Sequence, residues 1–187
     1  MRLHNKNLVM DKVEFLILRN LLYNEEYVRK VLPFIKPEYF EDYNQKVVFE
    51  EIAKFVVEYN EPATKEVLCI ETEKRQDIND TSFKEITQLI SYLEDDPTEF
   101  GWLVNTTEKW CRDRAIYLAL MESIQLADGK DENKDRDAIP SILSNALAVS
   151  FDTHIGHDYL IDYEERYETY HRKEDKIEFD LEYFNKI

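Results

Sequence analysis

The longest uninterrupted helical pattern in the chain runs from Thr98 to Ala127, TEFGWLVNTTEKWCRDRAIYLALMESIQLA. Apolar side chains recur along it every seven residues, with Met121 between two of these positions at helical spacing. This stripe comprises Leu103, Trp110, Tyr117, Met121 and Ile124, and a second stripe beside it comprises Val104, Cys111 and Leu118. A helix of about 30 residues is roughly 45 Å long. The apolar run from Ala138 to Phe151, which is predicted to pack against it, is about half as long. We therefore expect a helical hairpin over 98–151 whose surplus apolar surface contacts another molecule.

The residues before this hairpin predict a small helical bundle over 1–95. The chain holds only three glycines and five prolines in 187 residues, which leaves little turn chemistry for a multi-stranded sheet. Apolar residues recur at helical spacing in several segments that follow capping residues. The predicted caps are Asp11 and Thr64, with helices over 25–32 and 42–59 and a capping box of Ser82 and Glu85. The fold class predicted for the chain is therefore all-α.

The residues after the hairpin predict a linker helix over 152–175. Large apolar side chains lie on one side of this segment, and charged side chains such as Glu165 lie on the other. The apolar side comprises Tyr159, Leu160, Tyr163, Tyr167 and Tyr170. A lone helix of about 14 residues is marginal in water, so we expect this stripe to dock on a partner surface. Packing back onto the chain's own bundle is the alternative.

The last segment, 176–187, has the alternation of a β-strand. Ile177, Phe179 and Leu181 alternate there with acidic residues. A single strand at this position has no sheet to join within the chain. We therefore expect one terminal β-strand that belongs to a further domain.

The charge of the chain limits the partners that it can bind directly. The formal net charge is −16, which opposes binding to a phosphate backbone and favours partners with positive patches. No signal peptide precedes the first predicted helix, and no apolar run approaches the roughly 20 residues that span a bilayer. Cys69 and Cys111 are 42 residues apart, so free thiols are expected. These features predict a soluble intracellular protein that does not contact membranes.

One local cluster has the residue types of a metal site. Asp152, His154, His157 and Asp158 combine carboxylates with imidazoles, the ligands that a divalent cation takes. A small metal-dependent enzyme built on His154 and His157 is therefore one hypothesis. Helix capping by Asp158 after a turn at Gly156 is the alternative, and we assign no metal ligand here.

The sequence carries no catalytic or nucleotide-binding motif. A P-loop needs two glycines five residues apart, followed by Lys and Ser or Thr. Gly101, Gly129 and Gly156 are 28 and 27 residues apart. No serine or cysteine stands in a recognisable nucleophile motif, and we predict neither catalytic nor cofactor-binding residues in this chain.

The order of these elements resembles the N-terminal half of DnaB-type replicative helicases, and in particular the T-even phage type. The strings that carry the resemblance are spread over nearly the whole chain. In the hairpin they are WLV at 102–104, TEK at 107–109, RA at 114–115, AIP at 138–140, AL at 146–147 and SFD at 150–152. Beyond it they are GHD at 156–158, DYE at 162–164 and NKI at 185–187. The resemblance supplies an account of the histidines that needs no metal.

The resemblance implies an assembly portion of a larger enzyme. The complete protein would be a hexameric, ATP- and Mg²⁺-dependent helicase that moves 5′ to 3′ on single-stranded DNA in the cytoplasm of an infected bacterial host. Its ATPase motifs would lie in the RecA-like motor domain beyond this chain, which would be inactive alone. The hairpin would pair N-terminal domains into a collar, the linker helix would dock on a neighbouring motor domain, and a primase and a helicase loader would be partners. The alternative is a stand-alone acidic adaptor or decoy that binds a helicase ring.

The linker hypothesis is testable by substitution. Tyr163→Ala with Tyr167→Ala is expected to leave the bundle folded but to weaken ring assembly of the complete protein, because it removes two of the large side chains of the docking stripe. Sedimentation velocity of the complete protein measures this, with Glu165→Ala on the charged side as the control. Unchanged assembly of the double variant would count against a docking role.

Overall fold

The computed structural model describes residues 12–129 and 135–151, and this part of the chain is helical. The α-helices are α1 Lys12–Tyr23, α2 Glu25–Val31, α3 Tyr43–Tyr59, α4 Lys65–Glu73, α5 Asp80–Tyr92, α6 Phe100–Ala127 and α7 Ile139–Leu147. Short 3-10 turns lie at Leu32–Phe34, Pro37–Tyr39 and Arg136–Ala138. No strand occurs within the described ranges, so the predicted all-α class is confirmed. The predicted cap Asp11, the predicted linker helix with its five-residue stripe, the terminal strand and the histidine cluster lie outside the described residues.

Side-chain caps set the starts of α3 and α4, at Asp42, where the predicted helix begins, and at the predicted cap Thr64. Asp42 accepts a hydrogen bond from the Gln45 amide at 2.9 Å, and Thr64 accepts one from the Val67 amide at 3.3 Å. Each bond satisfies a donor that the first helical turn leaves without a partner. Asn60 ends α3 with a left-handed φ of 55°, a conformation that asparagine tolerates better than most residues.

The capping box predicted for Ser82 and Glu85 is wrong. α5 begins at Asp80, because Asn79 caps it by accepting hydrogen bonds from the amides of Thr81 and Ser82 at 3.0 and 2.8 Å. The Glu85 carboxylate instead accepts a hydrogen bond from the Asn44 side chain on α3 at 3.0 Å. Asparagine caps a helix as well as serine does, and the long-range partner of Glu85 carries no sequence signature.

The return helix of the hairpin is shorter than the apolar run that predicted it. α7 ends at Leu147, and the chain then leaves helical geometry so that the buried Phe151 ring stacks on Phe34 with the ring centroids 4.8 Å apart. Aromatic stacking adds about 0.5–1.5 kcal/mol to the burial of such a pair. The chain therefore returns from the hairpin to the bundle.

Bundle and hairpin share one hydrophobic core. Leu103 on α6 is fully buried, and the Trp110 ring lies 5.1 Å from Phe40 and 6.0 Å from Tyr39, centroid to centroid. The hydroxyls of Tyr27 and Thr107 are 2.6 Å apart. Thr107 donates to the Leu103 carbonyl, which leaves Tyr27 as the donor to Thr107. Burial raises the pKa of the Tyr27 phenol, so it stays a neutral donor in this core.

The burial of α6 predicts unequal effects for two identical substitutions. Leu103→Ala is expected to lower the free energy of unfolding by about 2–5 kcal/mol, because it leaves a cavity in the shared core. Leu120→Ala on the same helix removes a side chain that is 48 % exposed and is expected to cost less than about 1 kcal/mol. Urea unfolding at low protein concentration measures both. Equal destabilisation by the two variants would contradict the placement of α6.

Candidate interaction site on the hairpin

The long helix α6 buries different faces in its two halves. In the first half the buried side chains include Leu103, Thr107 and Trp110, which face the bundle. In the second half the buried positions are Ala115, Ala119, Ser123 and Leu126. The first half also buries Val104 and Cys111, and at 3.6 residues per turn the second set is centred roughly 115° around the helix axis from the centre of the first. α7 packs against α6, and the small side chains of Ala115, Ala119 and Ser123 on the second half of α6 leave room for close approach of a neighbouring element.

This change of face divides the predicted interface stripe. Leu103 and Trp110 are 0 % and 7 % exposed, because both side chains pack inside the chain's own core. Tyr117, Met121 and Ile124 are 51 %, 43 % and 55 % exposed. The stripe continues along one side of α6, but the bundle covers only its first half. The role of these residues at a subunit interface stays a prediction.

Leu120 belongs to the exposed part of this surface, although the seven-residue pattern did not include it. Its side chain is 48 % exposed. It follows Tyr117 by three residues and precedes Ile124 by four, which places it on the same side of the helix. We name Tyr117, Leu120, Met121 and Ile124 the open stripe. The signal for Leu120 was present in the sequence as this three-and-four spacing.

Arg114 stands where the bundle ends and the open stripe begins. Its Nε donates a hydrogen bond to the Tyr39 carbonyl at 2.6 Å, and its guanidinium forms an ion pair with Glu41. The guanidinium carbon also lies 5.1 Å from the centroid of the Tyr117 ring, within the range of a cation–π contact. Its side chain is only 14 % exposed. Arg114 therefore connects α6 to the bundle and also contacts Tyr117, the aromatic residue of the open stripe.

A groove of about 540 Å³ lies between α6, α7 and the turn at 36–39. Leu118, Met121, Ile142 and Val149 supply its main apolar lining. The polar lining comprises Gln125 and Asn145 with the charged residues Lys36, Glu38 and Glu122. Met121 belongs both to this groove and to the open stripe. With two glutamates and one lysine, the lining favours apolar side chains over phosphate or nucleotide.

The described residues offer no metal centre that would compete with an interaction role. Among residues 12–129 and 135–151, no group of three or more His, Cys, Asp or Glu side chains could hold a metal ion. None of the helices in these ranges is long and apolar enough to cross a bilayer.

Cys111 lies on the buried side of α6, so the reactivity of its thiol depends on how α6 is packed. Its side chain is 0 % exposed. Burial, with a smaller contribution from the nearby Glu108 carboxylate, raises the pKa of its thiol to about 12. Cys69 on α4 is partly exposed, and burial raises the pKa of its thiol as well.

The two thiols are expected to react at different rates. The thiolate is the nucleophile, so at about pH 8 Cys69 is expected to react with a disulfide reagent well before Cys111, whose reaction requires local opening of the core. Absorbance kinetics with an aromatic disulfide reagent measures the two phases. Cys69→Ser is the control and removes the fast phase. A single rate for both thiols in the folded protein would contradict the burial of Cys111.

Comparison with known proteins relates nearly the whole chain to a known protein. No family model matches the sequence. A DnaB-like replicative helicase of Enterobacteria phage T4 is 35 % identical over 180 residues, which cover 92 % of this chain and 38 % of that helicase. The chain thus spans less than two fifths of the length of the relative that it matches. The resemblance seen in the sequence is confirmed, because nearly the whole chain is similar to part of a DnaB-like replicative helicase.

Proposed function

We propose that this chain is the assembly portion of a DnaB-like replicative helicase, in which hairpins of neighbouring subunits pack on one another to form a collar. The open stripe is the observation that carries the proposal. Four large apolar side chains, each between 43 % and 55 % exposed, follow one another on the part of α6 that the bundle does not cover. Contiguous exposed apolar surface of this kind marks an interaction site.

The strength of this contact is expected to be modest. Complete burial of one such side chain contributes roughly 1.5–3 kcal/mol, so covering the exposed half of each contributes about half of that. Two copies bring eight of these side chains together, while association costs an estimated 4–15 kcal/mol in lost freedom. Gain and cost are of the same order. Hairpin pairing alone is therefore expected to be weak, with ring stability depending on further contacts in the complete helicase.

The acidic charge of the chain indicates which ligands bind to it and which bind to other parts of the helicase. With a net charge of −16, the chain repels both DNA and other copies of itself. Single-stranded DNA, ATP and Mg²⁺ are accordingly assigned to the motor part of the helicase, outside these 187 residues. Primase and helicase loader are the proposed protein partners, and the cytoplasm of an infected bacterium is the proposed location. Added salt is expected to strengthen hairpin pairing, because it screens the repulsion between copies.

The proposal predicts concentration-dependent self-association of the chain. Light scattering from about 5 to 500 µM is expected to show a dimer or larger species. Met121→Asp with Ile124→Asp is expected to raise the dissociation constant at least about 30-fold, since charged groups at the centre of such a contact cost about 2 kcal/mol or more.

Val57→Asp is the matched control, because Val57 is 82 % exposed on α3 and lies outside the hairpin. It is expected to leave the dissociation constant within about twofold of the unsubstituted chain. A monomer at every concentration, or equal association of the double variant and the unsubstituted chain, would contradict the proposal.

A further inference from the structure

A second groove, separate from the hairpin, lies between α3 and α4. Its volume is about 420 Å³. Phe55 and Tyr59 from α3 face Val67 and Ile70 from α4 across it. The rings of Phe55 and Tyr59 are in contact, with centroids 4.6 Å apart, and Tyr59 and Ile70 are 57 % and 53 % exposed. The groove therefore has apolar walls that remain open to solvent at the rim.

The surroundings of this groove are acidic overall. Residues 51–74, which include every lining residue of the groove and its two lysines Lys54 and Lys74, contain six glutamates and three lysines, a net charge of −3 within a short segment. The exposed glutamates are Glu58, Glu61, Glu66 and Glu73. A potential of this sign attracts cationic groups and raises their local concentration. Apolar walls below an acidic rim match a ligand that is apolar along its length and positive at its end.

Glu51 supplies a hydrogen-bond acceptor in the lining of the groove. The residue is only 5 % exposed. Its Oε1 accepts a hydrogen bond from the Arg75 guanidinium at 2.9 Å, whereas its buried Oε2 accepts none from the described residues. The Lys54 Nζ is 3.9 Å from Oε2, which is too far for a hydrogen bond. A buried acceptor without a donor carries a free-energy cost that an incoming donor would relieve.

We propose that the α3–α4 groove binds a helix of a partner protein that presents an arginine among apolar side chains. The arginine stem lies along Phe55 and Val67, and its guanidinium donates to Glu51 Oε2. An arginine side chain combines an apolar stem with a cationic head, and its bond to a carboxylate is charge-assisted. The apolar neighbours of the arginine on the partner helix cover Tyr59 and Ile70.

Lys54 can move away from Glu51 and keep its ion pair with Glu71. Its side chain is 62 % exposed, and its Nζ lies 3.7 Å from a Glu71 carboxylate oxygen. The incoming guanidinium would therefore replace a weak contact by a direct hydrogen bond. Arginine suits this exchange better than lysine, because its planar group carries several donors in a fixed arrangement. No lining residue of the groove belongs to α6 or α7, so the inference is independent of hairpin pairing.

The test uses a synthetic amphipathic helical peptide with leucine on one side and arginine at its margins. Calorimetric titration into the 187-residue chain at about 0.15 M salt, where diffuse attraction is largely screened, measures its affinity. Binding in the micromolar range is expected. A matched peptide with citrulline in place of arginine keeps the shape and loses the charge, and it is expected to bind at least about tenfold more weakly.

Variants locate the binding site. Glu51→Gln and Ile70→Ser are each expected to weaken binding of the arginine peptide about tenfold. Ile124→Ser is the matched control for Ile70→Ser, since Ile124 is 55 % exposed but lies in the hairpin. Glu108→Gln is the control for Glu51→Gln, because Glu108 also pairs with an arginine, Arg112.

Both controls are expected to leave the affinity within about twofold. Because Ile70 is exposed, its variant retains the fold and carries the test if circular dichroism shows that Glu51→Gln does not. Three results would each overturn the proposal: no binding of the arginine peptide, equal binding of the citrulline peptide, or equal loss in the hairpin controls.

Discussion

The long helix α6 extends beyond the bundle, and the packing of α7 and the exposure of the open stripe both follow from this length. The helix has 28 residues and is roughly 42 Å long. The bundle contacts it through Leu103, Thr107 and Trp110 and through Arg114. The apolar side chains that follow Arg114 on α6 need another surface to pack against. α7 covers one side, and the open stripe is what remains.

Polar contacts within the core fix how far α6 projects. The Tyr27 hydroxyl meets Thr107 in a buried hydrogen bond, and Arg114 meets the Tyr39 carbonyl. A shift of α6 along the bundle would break both contacts and leave buried polar groups without partners, at a cost of about 1–3 kcal/mol for each group. Apolar packing alone tolerates such shifts more readily. These two contacts therefore specify which residues of the stripe are buried and which are open.

The sequence predicted the helices well because their signals are local. The 3.6-residue period, the cap Thr64 and the break at Asn60 act within a few residues of each helix end. The start of α5 was misplaced because Asn79 and Ser82 are both good caps, and the choice depended on the contact of Glu85 with α3. Periodicity cannot decide such long-range competition.

The candidate sites were less predictable for a related reason. A seven-residue period shows that one side of α6 is apolar, but it does not show where the chain's own bundle stops covering that side. Leu103 and Ile124 therefore look equivalent in the sequence, although one is 0 % and the other 55 % exposed. The α3–α4 groove left no sequence signal, because Glu51 and Ile70 are far apart in the chain and meet only in the fold.

The methyl groups of methionine offer the most direct measurement of the central claim, that the uncovered half of the α6 stripe is a self-association surface. The chain has three methionines, and Met121 lies at the centre of the open stripe. In a chain labelled with ¹³C in its methionine methyl groups, Met121 is identified by loss of its resonance in Met121→Leu. As the concentration rises, we expect the Met121 resonance to shift or to give way to a second one, while those of Met1 and Met10 stay in place. A Met121 resonance that does not change up to the highest concentration would contradict the account.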